Sequence, residues 1–98
     1  MARIKRVFQC YNDAGHGWCK VSKKMLEELG IADKITTYSY QRGEFAYLEE
    51  DCDFTTFYHA FAEHYGAVPK CQHHYSDHSK IRNYEHYDGA IMATVFRM

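Results

Sequence analysis

Asp51-Cys52-Asp53-Phe54-Thr55-Thr56-Phe57-Tyr58-His59-Ala60-Phe61-Ala62-Glu63-His64-Tyr65-Gly66 is the stretch on which the fold turns. Phe54, Phe57, Tyr58, Phe61, Ala62 and Tyr65 recur at the three- and four-residue steps that place side chains on one face of an α-helix. Asp51 or Asp53 is placed to cap the N-terminus, and Gly66 supplies the left-handed residue that ends the helix. The acidic run Glu49-Glu50-Asp51-Cys52-Asp53 suits that start, where the helix dipole favours negative charge by roughly 0.3–1 kcal/mol per group. An aromatic stripe of this kind reads as a core face, not as a ligand box.

Toward the N-terminus the pattern shortens to strands. Ile4 to Tyr11, rich in β-branched and aromatic residues, predicts a first strand. It ends at Asn12-Asp13-Ala14-Gly15-His16-Gly17, a turn with two glycines for positive φ. Trp18 to Val21 predicts a second extended segment. Ser22 can then cap a two-turn helix through Leu29, with Gly30 and Ile31 placed for a Schellman stop against Leu26. Ile35 to Tyr40 and Phe45 to Leu48 predict a hairpin closed around Gln41-Arg42-Gly43-Glu44. Beyond the long helix, Val68 to Tyr75 predicts a further strand, Ser76 to Asp88 a polar loop, and Ala90 to Phe96 a last strand or ordered tail. The expected class is α+β: a small antiparallel sheet with two helices packed on one face. Residues 1–98 are expected to form one domain, with the tail from about residue 88 as an extension.

A chain of 98 residues needs a dense core, and 9 Tyr, 6 Phe and 1 Trp supply it. No apolar run approaches the roughly 20 residues that span a bilayer, and the basic N-terminus lacks the apolar segment of a signal peptide. The cytoplasm is the expected location, with Cys10, Cys19, Cys52 and Cys71 as thiols. Cys10 and Cys19 are placed to lie close across a turn. The formal net charge of −1 hides a polarity, with bases gathered in residues 1–24 and acids in residues 44–63. A chain built for nucleic acid is usually basic overall, so no nucleic-acid partner is expected.

Cys71-Gln72-His73-His74-Tyr75-Ser76-Asp77-His78 holds the densest set of metal-ligand types. Zinc accepts thiolate, imidazole and carboxylate, and His74 and His78 could share a helix face. A strand over residues 70–75 would instead send His73 and His74 to opposite faces. Cys71, His73, His74 and His78 are therefore candidate zinc ligands, set against a simpler reading as surface and loop residues. Cys19, His16 and Asp13 supply the parts of a nucleophilic triad, but no phosphate loop, nucleophile elbow or metalloprotease motif occurs. No catalytic residue is assigned. The remaining candidates are polar and aromatic residues on turns: His16 and Trp18, then Tyr38, Tyr40 and Arg42, then Lys80, Arg82 and Tyr84. Rings of this kind stack on nucleobases, arginine holds phosphate, and Trp, Tyr and Arg are enriched at protein hot spots.

Gly15-His16-Gly17-Trp18, Tyr38-Ser39-Tyr40-Gln41-Arg42-Gly43, Tyr47-Leu48-Glu49-Glu50-Asp51-Cys52-Asp53 and Ser79-Lys80-Ile81-Arg82-Asn83-Tyr84 stand together over residues 4–87. As a set they resemble a family of small uncharacterised proteins encoded by bacteriophages, prophages and mobile elements. The resemblance implies an accessory gene acting in the bacterial cytoplasm. The expected function is non-enzymatic counter-defence, sequestering a nucleotide signal or blocking a host defence protein. A metal-dependent hydrolase using the His73–His78 region and a minor virion or assembly component are the alternatives. Exposed sheet edges predict a homodimer or higher assembly.

Overall fold

In the computed structural model, which describes residues 6–89, Val7–Asn12 (β1) and Gly17–Ser22 (β2) pair antiparallel with Cys10 opposite Cys19. Ser22 Oγ accepts the Met25 N–H and caps α1, Lys23–Glu28. Gly30, at φ 71°, gives its N–H to the Glu27 carbonyl, and Ile31 gives its own to that of Leu26. These are the two bonds of a Schellman motif, and Ile31 and Leu26 sit buried in one cluster. The second hairpin joins β3, Tyr40–Arg42, to β4, Phe45–Glu49, through Gly43-Glu44. Gly43 at φ 59°, followed by a residue at negative φ, matches a type II′ turn, whose twist suits the flanking strands.

The long helix, α2, spans Asp53–Tyr65 and stops at Gly66 with φ 70°. Phe57 and Phe61 are fully buried, as the stripe requires. Its start corrects the expected capping. Cys52 is the N-cap residue and makes no side-chain cap bond, while Glu49 Oε2 accepts the N–H groups of Asp51 and Cys52 at 3.0 Å. Asp53 turns inward and is 1% exposed. Its carboxylate accepts the Thr36 N–H at 3.1 Å, the Thr36 hydroxyl at 2.7 Å and the Ser39 hydroxyl at 2.5 Å. That network accounts for a second correction: residues 35–39 are irregular chain, a turn and a bend, not a strand. With its N–H and hydroxyl both given to Asp53, Thr36 has no donor left for a strand ladder.

The sheet has six strands in the order β5-β1-β2-β4-β3-β6, with β5 at Lys70–Tyr75 and β6 at Glu85–His86. It is mixed rather than antiparallel, because β5 runs parallel to β1, with Cys10 opposite His73. Hairpins reverse direction, whereas a strand reached through a helix re-enters in the direction of the strand that preceded it. α2 has 13 residues, about 20 Å of helix, which matches the length of a six-residue strand. The architecture is α+β.

Strand alternation gives the sheet two chemically different faces. Phe8, Cys10, Cys19, Val21, Ala46 and Leu48 share one buried cluster with Leu26 of α1 and Phe57 and Phe61 of α2. Trp18 and Tyr47 form a second cluster with Ile81, flanked by Tyr11, Tyr40 and Tyr84. Ile81 belongs to a 3₁₀ turn, Lys80–Asn83, capped by Ser79. Two residues of the segment expected as a polar loop are thus core residues, since Tyr87 is also buried and donates its phenol to the Ala32 carbonyl at 2.5 Å. The strand or tail expected over Ala90–Phe96, and the Ile4 start of the first strand, lie outside the described residues.

Two stability predictions result. Asp53→Ala leaves donors on half-buried Thr36 and buried Ser39 without their acceptor and is expected to cost about 3 kcal/mol, lowering Tm by more than about 10 °C. Asp51→Ala, at an exposed position, should stay within about 0.5 kcal/mol of the parent, and equal melting of the two variants would contradict the network. Burial, followed by the charges of Asp33 and Asp53, pushes the Tyr87 phenol from 10.0 up to about 12. A folded value above the unfolded one means this contribution is full below about pH 10 and is lost as pH rises toward about 12. Alkaline unfolding followed by circular dichroism should show that loss, and Tyr87→Phe should flatten it.

Candidate ligand-binding face

The face that carries Trp18 and Tyr47 is built by cross-strand pairs. Tyr11 stands opposite Trp18 and also opposite His74, and Tyr47 stands opposite Lys20 and Tyr40. Tyr11 stacks on His74 with centroids 5.3 Å apart, and Tyr40 stacks on His86 at 4.8 Å. The 3₁₀ turn lies over this face through Ile81, leaving a cleft on either side.

The first cleft, of about 350 Å³, is lined by His16, Trp18, Tyr38, Tyr40 and Arg82, with Glu49 and Cys52 at its edge. Five of the eight side chains singled out on turns therefore meet here. A turn holds the His16 side of the cleft, where Asp13 Oδ1 accepts the N–H groups of Gly15 and His16 at 3.0 and 2.9 Å. Arg82 then grips the same carboxylate through two bonds, Nε to Oδ2 at 2.6 Å and Nη2 to Oδ1 at 2.9 Å. Its guanidinium also lies over the Trp18 ring, 5.2 Å from the centroid. The Arg82 hydrogen bond holds the Asp13 carboxyl well below its ordinary range. Arg82 is thus engaged by Asp13, which lessens its capacity for phosphate.

The second cleft, also about 350 Å³, is floored by Tyr11, Tyr47 and Ile81 and bordered by Lys20, Lys80 and Tyr84. Asn12, His74, Tyr75, Ser76, His78 and Ser79 complete the wall. Among the described residues neither Lys20 nor Lys80 has a carboxylate at ion-pair distance, the pair found there being Arg82–Asp13. Lys20 Nζ lies 4.2 Å from the Phe45 centroid, and Arg42 stacks over Tyr84 at 5.1 Å. Burial, then the nearby Tyr84, raises the pKa of Tyr47, so its hydroxyl is a neutral donor at pH 7. Lys80 and Tyr84 were legible as candidates, whereas Tyr11, Lys20 and Tyr47 were not. Their signal was the alternation of β1, β2 and β4, which puts them opposite the residues of the first cluster.

The Cys71–His78 run divides between the two sides of the sheet. Residues 70–75 are a strand, so His74 and His78 do not share a helix face. They line the second cleft, while Cys71 and His73 border a small cavity on the other side. There Cys71 meets Cys10 and Cys19, with all three sulfur atoms within 4.8 Å of one another. All are free thiols. A hydrogen bond from Cys19, aided by one from Cys71 and opposed by burial, lowers Cys10 from 9.0 to about 7. Burial, then the bond to Cys10, pushes Cys71 up to about 12, and its bond to Cys10 raises Cys19 still further. Three thiols at one point can hold a metal ion. Cys19 is thereby committed to this cluster, and Asp13 to Arg82, so no nucleophilic triad forms with His16.

Among the described residues no helix is long and apolar enough to cross a membrane. No family model matches the chain, and neither curated proteins nor solved structures give a match.

The Asp13–Arg82 clamp is testable through the single tryptophan. A carboxyl whose folded pKa is depressed below 3.8 contributes fully at neutral pH and loses that contribution only as acid drives it through the folded value. Trp18 emission should stay constant until the pH falls below that of an ordinary carboxylate. Arg82→Gln and Asp13→Asn should each shift the emission red, and the double variant should add nothing.

Proposed function

We propose that this chain is a non-enzymatic binding protein that captures a small anionic ligand carrying an aromatic ring, of the nucleotide class, in the Tyr11–Tyr47–Tyr84 cleft. The observation that carries the reading is the meeting of Lys20 and Lys80, neither paired with a carboxylate among the described residues, with tyrosine rings in one cleft. Its volume of about 350 Å³ falls within the roughly 300–1,000 Å³ of small-molecule sites. Stacking of a base on an aromatic ring is worth about 1–3 kcal/mol, and ammonium and hydroxyl groups suit phosphate oxygens. Because Arg82 is engaged by Asp13, the phosphate role passes to Lys80 and Lys20.

The division of Cys71, His73, His74 and His78 between two faces favours capture over metal-assisted hydrolysis in that run. With the resemblance to phage and mobile-element proteins, the role that fits is counter-defence by sequestration of a nucleotide signal in the bacterial cytoplasm. A second reading, a host defence protein docked at the first cleft, is favoured by Tyr38, which is 72% exposed beside Trp18 and Arg82.

Calorimetric titration with linear mononucleotides, cyclic mononucleotides and cyclic dinucleotides tests the proposal. At least one probe should bind at a single saturable site. Lys80→Ala and Tyr84→Ala should each weaken it about tenfold or more, while His16→Ala and Tyr38→Ala should leave it unchanged. Silence across the whole panel would sink the nucleotide reading, and sensitivity confined to His16 and Tyr38 would move the ligand to the first cleft.

A further inference from the structure

On the opposite side of the sheet, three thiols stand in a compact set, and the histidine paired across the strands with one of them shares their face. Cys10 is directly opposite Cys19 on β2 and directly opposite His73 on β5, while Cys71, two residues before His73, sits diagonally from Cys10. Direct cross-strand neighbours lie about 5 Å apart at Cβ and alternate residues share a face, so all four project to the same side. The three sulfur atoms already lie within 4.8 Å of one another. A zinc ion with bonds of about 2.3 Å to sulfur would draw thiolates to about 3.8 Å apart, a change within reach of side-chain rotation.

A cavity of about 50 Å³ adjoins the cluster, with Leu48 and Phe54 as its apolar wall and His73 at its mouth. His73 Nδ1 lies 3.0 Å from Asn12 Oδ1. An acceptor there holds the ring proton on Nδ1 and leaves the Nε2 lone pair for a metal, the outer-shell arrangement of ligating histidines. Gly17 gives Asn12 its room: a Cβ at that position would meet the Asn12 amide and come within 2.7 Å of Glu50 Oε2.

We infer that Cys10, Cys19, Cys71 and His73 form a tetrahedral zinc site, with Asn12 positioning the histidine. The site is separate from the ligand cleft and stands whether or not that reading holds. Three thiolates and one imidazole are a zinc donor set of the closed, structural kind. Each ligating thiol gives its proton to solvent on binding. The ion would tie β1, β2 and β5 together where the parallel edge strand joins the sheet.

The test is titration of the reduced, chelator-treated full chain with cobalt(II), followed by displacement with zinc(II). Thiolate-to-cobalt charge-transfer absorption should saturate at one equivalent and vanish with one equivalent of zinc. Cys71→Ser should remove about a third of that intensity, as one ligand of three thiolates, and weaken zinc binding at least about 100-fold. His73→Ala should keep the charge-transfer intensity but lose about 10–100-fold in affinity, and Asn12→Ala should lose a similar amount. His73 is exposed, so its variant carries the test even where a cysteine variant fails to fold. Absence of charge-transfer absorption from the folded, reduced chain would overturn the site. So would a Cys10–Cys19 disulfide in protein isolated under reducing conditions, and unchanged affinity in His73→Ala would remove the histidine from the set.

Discussion

A buried carboxylate organises this fold. Asp53, at the first turn of α2, receives the Thr36 amide and the hydroxyls of Thr36 and Ser39. Ser39 extends the network in two directions, its hydroxyl accepting the Glu49 N–H at 2.9 Å and its carbonyl accepting the Tyr87 N–H at 2.9 Å. The turn before β3, the end of β4, the start of α2 and the segment after β6 thus meet through Asp53 and Ser39. An anion with no exposure is tolerated only where donors surround it, and the reciprocal dependence makes every element of the junction necessary. Tyr38 and Tyr40 flank Ser39, so the same junction positions one wall of the first cleft.

The sheet then separates two kinds of chemistry. Alternation along β1 sends Cys10 to the packed side and Tyr11 to the open side, and β2 and β4 repeat the division with Cys19 against Trp18 and Leu48 against Tyr47. The open side collects rings, ammonium groups and hydroxyls under the 3₁₀ turn. The packed side collects thiols beside apolar walls. Asn12 borders cavities on both sides, which places the proposed ligand cleft and the proposed metal site at the same end of β1.

The local signals in the chain were strong where one residue type alone fits the backbone. Gly30, Gly43 and Gly66 adopt the positive φ that ends two helices and closes a hairpin, and the spacing of Phe57 and Phe61 sends both to the core. Signals failed where a distant partner outweighed local preference. Ile35–Tyr40 has strand composition over most of its length, but Asp53 captures Thr36 and Ser39, and residues 35–39 are irregular chain, a turn and a bend. Asp53 has the sequence position of a cap, yet its carboxylate faces Thr36 and Ser39, and Glu49 serves the exposed amides. Ile81 and Tyr87 stand among polar residues, so no periodicity marked them as buried.

The α+β class, the extent of the long helix and the turns that separate most strands are legible in the chain alone, because these depend on φ preferences and side-chain spacing within a few residues. The sequence also marked His16, Trp18, Tyr38, Tyr40 and Arg82 as residues suited to contact, although Trp18 and Tyr40 stand on strands and not on turns. That those five meet in one cleft, that Lys20 and Lys80 share another, and that Cys71 reaches Cys10 and Cys19 emerges from long-range packing alone. For the second cleft and the thiol cluster the reason is the position of β5. The sequence between Tyr65 and Lys70 does not state beside which strand the chain will re-enter, and packing of α2 across the sheet takes it past β2 to the edge of β1. Contacts between residues some 60 positions apart follow from that placement, as in the pairing of Cys10 with His73.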